Sequence, residues 1–204
     1  MPVSKRGSMN KRMTIQMNMD EYVETWTDII SSLHDQIISE DDIYLPLSSR
    51  AEPYKISFEL KTILLIIAMQ SFREAAMHVR VKDSVENEVV DKIYASMSGS
   101  DTDALISSKE YYHRLMDFFK ENRSFKKDMI GEEKAEALQN DTVSLARYFV
   151  SQLTDEKEEK LKDLITKTGV ALIKARAVFS QLTASSAIDA NSMLFKKYKF
   201  YVKG

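Results

Sequence analysis

The last proline in this chain is Pro53, so residues 54–204 contain none. Proline ends helices by removing a backbone donor, and glycine frees the backbone for turns. Only 5 glycines accompany the 3 prolines across 204 residues. A chain so poor in turn residues, yet 44% hydrophobic, has to hide its apolar side chains in long helices. It also lacks cysteine, which excludes disulfides, thiolate metal sites and cysteine nucleophiles.

Apolar spacing marks six helical segments. Val23, Trp26, Ile30, Leu33 and Ile37 form one stripe along the first, opened by Asp20 as N-cap. The stretch 39–53 holds two prolines and reads as a loop. The second segment, about 54–81, is apolar on every side from Ile63 to Met69, which makes its main part, about 60–80, the central helix. A third runs from Ser84 to Met97. The fourth, about 102–122, carries Leu105, Tyr112, Leu115, Met116 and Phe119 on one face. The fifth follows Gly131 and turns Leu138, Leu145, Phe149 and Gln152 inward.

The sixth segment, about 155–184, is long and heptad-spaced: Leu161, Ile165, Thr168, Leu172, Ala175, Phe179 and Leu182. Asp155 and Glu158 have capping-box spacing at its start, and Gly169 suits a close helix approach. Tyr54 to Leu60 and Tyr198 to Val202 instead alternate apolar and polar residues, which predicts a small two-strand patch, although Pro53 equally suits the first turn of a helix. The expected fold class is all-α, a bundle of five to six helices.

Charge divides the chain further. Residues 1–19 carry +4 and residues 189–204 carry +3, so a net charge of −2 leaves −9 on residues 20–188. The expected organisation is a flexible basic N-terminal extension (1–19), a helical bundle domain (20–188) and a basic aromatic tail (189–204). The acidic body lacks the clustered cations that nucleic-acid phosphates require. The longest apolar run, Ile63 to Met69, is far short of the ~20 residues a membrane span needs. No apolar stretch follows the early basic residues, so the expected location is cytoplasmic.

Few constellations carry chemistry. His34, His78 and His113 fall on three different segments, with no pair at i,i+3 or i,i+4 spacing. Glu110-x-x-His113 matches half of a di-iron bundle motif, but no second copy exists and the helical wheel turns Glu110 outward. Gly-rich phosphate loops and nucleophile elbows are absent too. Neither metal nor cofactor is expected. Ser71, Glu74 and His78 continue the buried stripe of the central helix, and Glu74 beside His78 has the makings of a general-base pair.

Arg73 and His78 also form an Arg-x4-His element. It resembles the motif of the HEPN-domain ribonucleases, small all-helical proteins whose Arg and His meet in a dimer cleft. That resemblance rests on two residues and helical content. It implies a metal-independent ribonuclease in which Arg73 stabilises the phosphate and His78 assists attack by the ribose 2′-hydroxyl. Glu74 departs from the small polar residue usual after the arginine.

In the tail, Lys197, Tyr198, Lys199, Phe200 and Tyr201 mix cationic and stacking groups, as partner-binding segments do. The function expected is therefore a non-enzymatic helical interaction, scaffold or assembly protein. It would bind a protein partner, or a second copy of itself as an oligomer, through a helix face or the C-terminal tail. Nucleic acid enters only through that tail or in the ribonuclease alternative.

Overall fold

The computed structural model describes residues 19–75, 82–98, 102–124, 126 and 129–191. Among them are seven helices and no strand: α1 (Met19–Ile38), α2 (Asp41–Ser48), α3 (Pro53–Ala75), α4 (Lys82–Ser98), α5 (Thr102–Glu121), α6 (Gly131–Leu153) and α7 (Glu158–Asn191). The described residues form an all-helical structure, as the spacing predicts, with one helix more than expected.

That extra helix is α2, in the stretch expected to be a loop. Asp41 and Asp42 fill its first turn, where the helix dipole favours acids. Ile43 and Leu47, four apart, are both buried and hold it against α7, α1 and α3. Pro46 sits near the C-terminal end of this 8-residue helix, where losing one ladder bond costs little. Its carbonyl accepts from Ser49 Oγ at 2.9 Å and Arg50 Nη1 at 2.7 Å.

The two-strand patch is corrected as well. Residues 54–60 belong to α3, which starts at Pro53; proline is preorganised for the first helical position. The alternation was a coincidence of a short window. Ile56 and Leu60, four apart, face the core, while Tyr54 is 64% exposed. The other proposed strand, Tyr198 to Val202, lies outside the described residues.

Every residue from Ile63 to Met69 is fully buried, and the polar Thr62 and Ser71 that flank the run are buried too. Such a helix is stable only when covered on all sides, and α3 packs against each of the other six helices. Helix α7 is 34 residues long, about 50 Å at 1.5 Å per residue. Its stripe is buried from Leu161 through Phe179, packed on α6, α3 and α2. Phe179 stacks on Trp26 of α1 with ring centroids 5.8 Å apart.

Two details of α7 differ from expectation. The helix begins at Glu158, so Asp155 does not cap it. A methyl group built on Gly169 would meet Ala146 Cβ and Val143 Cγ2 at 3.8 Å, ordinary contact. Close approach to α6 does not require glycine there. Among the described residues no helix is long and apolar enough to cross a membrane.

Candidate functional site between α5 and α6

Of the residues singled out for chemistry, Arg73 and Glu74 lie in the last turn of α3, and their side chains are outside the described set. His78 and the tail residues Lys197, Tyr198, Lys199, Phe200 and Tyr201 are outside it entirely. Ser71 is buried and its hydroxyl has no hydrogen-bond partner among the described residues. Glu110 and His113 are both exposed, as the wheel implies. No group of three or more metal-ligating side chains occurs among the described residues.

His34 is buried and plays a structural part. Its Nδ1 lies 2.8 Å from Asp35 Oδ1 and its Nε2 lies 2.9 Å from Ser57 Oγ. Burial holds its pKa below 6.5, against the opposing pull of Asp35. The neutral ring satisfies both contacts, with Nδ1–H donating to Asp35 and Nε2 accepting from Ser57.

The densest polar arrangement lies elsewhere, around Tyr111 and Tyr112 of α5. These adjacent phenols fan in two directions. Tyr112 donates to Glu86 Oε1 of α4 at 3.0 Å, and Tyr111 donates to Glu59 Oε2 of α3 at 2.8 Å. Tyr111 Oη is also 2.9 Å from Tyr148 Oη of α6. Aromatic rings line this network: Phe58 packs on Tyr111 at 5.9 Å and on Tyr94 at 5.8 Å, and Phe119 meets Tyr148 edge-on at 5.6 Å.

Glu59 is only 7% exposed. Burial pushes its pKa above the usual carboxylate value of 4.5, while the Tyr111 hydroxyl and Lys55 pull it back. Burial also drives the Tyr111 pKa well up, helped by the hydrogen bonds to Tyr148 and Glu59. The phenol therefore stays protonated and acts as a donor, not as a nucleophile.

Helix α5 packs mainly on α4 and α3, and α6 on α7 and α3. Between α5 and α6 runs a groove of about 330 Å³ lined by Tyr111, Arg114, Leu115, Phe118 and Tyr148. The α5 members recur at i, i+3, i+4 and i+7, a single helix face. Phe118 is 52% exposed. Arg114 is exposed and makes no ion pair or hydrogen bond among the described residues. A second groove of about 350 Å³ runs between α6 and α7, past Val143, Gly169, Val170 and Ile173. Its lining also holds the exposed Arg147–Glu158 ion pair, 3.1 Å apart.

Sequence reasoning missed this site because it left 54–60 open between a strand and the first turns of a helix, and so gave Glu59 no place. The signal was present. On a helix starting at Pro53, Glu59 falls three residues after Ile56 and four before Ile63, inside the apolar stripe. No family model, curated protein or solved structure matches the chain.

Proposed function

We propose that this chain is a non-enzymatic helical interaction protein that docks a protein partner on the outward face of α5, in its groove against α6. The observation that carries this reading is Phe118, 52% exposed, one turn from an arginine that makes no ion pair among the described residues. Interface hot spots are enriched in aromatic residues and arginine around a pocket that a partner can desolvate. Tyr111, Arg114, Phe118 and Tyr148 supply that combination on a rigid scaffold. The ionisable groups behind the groove are engaged in holding α3, α5 and α6 together, which suits recognition better than turnover. The basic tail, with Lys197, Tyr198, Lys199, Phe200 and Tyr201, serves in this reading as a second contact element, and the cytoplasm as the place of action.

The test is a photo-crosslinking amino acid at position 118, with a control at the exposed Ser32 of α1. A discrete adduct to one partner, or to a second copy, is expected from 118 alone and should disappear in the R114A background. No adduct, or the same adducts from position 32, would contradict the reading. Deleting 189–204 should lower the adduct yield; an unchanged yield would remove the tail from it.

A further inference from the structure

Four exposed residues of α5 stand in one row: Ile106, Glu110, Arg114 and Phe118, each four positions after the last. Side chains at that spacing form one of the ridges by which helices pack. The row lies opposite the buried Tyr112, Leu115, Met116 and Phe119, so it points away from the bundle. Its two ends are apolar, with Ile106 51% and Phe118 52% exposed. Its middle is charged. Glu110 and Arg114 make no ion pair or hydrogen bond among the described residues.

The order along the row is apolar, acidic, basic, apolar. Turned end for end, it meets its own complement. A two-fold axis at the level of residue 112 sets Ile106 against Phe118 of a second copy and Glu110 against its Arg114, then repeats both contacts with the roles exchanged. A partner of one net charge finds no comparable match, because α5 is nearly balanced: Lys109, Arg114 and Lys120 against Asp103, Glu110, Asp117 and Glu121, net −1.

The same arrangement supplies an occupant for the groove. Arg114 and Phe118 line it together with Tyr111, Leu115 and Tyr148, around a volume of about 330 Å³, and Ile106 of the second copy arrives beside Phe118. Ridges of four-residue spacing interlock when helix axes cross at about −50°. The two helices then touch along the row, about 18 Å from Ile106 to Phe118. They diverge beyond it, which keeps Asp103 apart from Glu121 of the other copy.

We infer that this chain forms a two-fold symmetric dimer through the outward face of α5, with Ile106 on Phe118 and Glu110 on Arg114 across the axis. The inference rests on the reading of α5 as a docking face and names a second copy as the partner. A single helix crossing buries less than the ~1,600 Å² of a standard interface, so the expected dissociation constant is on the order of 10–100 μM.

The experiment is analytical ultracentrifugation of the full chain from about 1 μM to about 1 mM, with two charge reversals. Glu110→Arg and Arg114→Glu each place like charges together at both symmetric contacts and should weaken the dimer by at least about 10-fold. Mixed in equal amounts, the two variants should associate as tightly as wild type, because each then meets its opposite. Both positions are exposed, so the variants keep the fold, and circular dichroism checks it. A wild-type chain that stays monomeric, a dimer indifferent to both reversals, or a mixture that fails to associate would overturn the inference. A monomeric chain that still yields an adduct to another protein from position 118 would discard the second copy and keep the docking face. A monomer with no adduct would remove both.

Discussion

Replacing Tyr111 by Phe removes one oxygen and leaves the ring, so packing against Phe58 at 5.9 Å is retained. What is lost is the donor that Glu59 receives at 2.8 Å and the acceptor that Tyr148 uses at 2.9 Å. Glu59 is 7% exposed, so water replaces the missing donor poorly. A hydrogen bond to a charged group contributes about 1.5–3 kcal/mol, and a neutral one about 1 kcal/mol. Tyr148 is only part-buried and can turn to solvent, so the expected loss is about 2–3 kcal/mol. For a chain of this size that corresponds to a fall in melting temperature of about 4–12 °C.

The loss should shrink at low pH. Tyr111 lowers the Glu59 pKa, so its removal lets the carboxyl protonate earlier and escape the cost of a buried, undonated charge. Urea unfolding at about pH 7.5 and about pH 5 reads both effects. A Y111F variant within 0.5 kcal/mol of wild type at both pH values would refute the idea that Glu59 depends on this phenol.

Other consequences are smaller in scope. Gly169→Ala should raise stability by about 0.5–1 kcal/mol, since alanine is the better helix former and its methyl finds Ala146 and Val143 at 3.8 Å; thermal melting checks it. Thr168→Val should also stabilise, by about 1 kcal/mol, because the Thr168 hydroxyl is buried without a partner among the described residues and pays its desolvation cost uncompensated. His34 has a folded pKa below 6.5, so the stability that its neutral form contributes is complete above pH 6.5 and is lost as pH falls through the folded value. Against H34Q measured in parallel, wild type should lose no more than about 1.4 kcal/mol per pH unit in that window. Labelled single-stranded RNA should survive incubation with the wild-type chain; cleavage that vanishes in H78A would instead favour the ribonuclease reading of Arg73 and His78.

Most of the helical architecture was legible because period 3.6 survives any tertiary arrangement. The Val23-to-Ile37 stripe, the all-round apolar run from Ile63 and the α7 heptads from Leu161 to Phe179 are buried as their spacing requires; Leu182 lies outside the residues whose side chains are described. Prediction failed where a local rule met a tertiary one. Prolines in 39–53 argued against helix, but burial of Ile43 and Leu47 against α7 outweighs a single missing ladder bond. Over 54–60, seven residues fit both a strand period and a helix, and continuity with α3 decided between them. The same ambiguity concealed Glu59. Tyr148 had no signal of its own, since its meeting with Tyr111 depends on how α5 and α6 are set on α3. Such juxtapositions are products of packing and cannot be read from one segment.

The most direct test of the docking face compares photo-crosslinking from position 118 on α5, position 170 beside the α6–α7 groove and position 32 on α1, all three exposed. A discrete, saturable adduct should form from 118 and from neither of the others. Adducts from 32 or 170 in its place, or none at all from 118, would contradict the account.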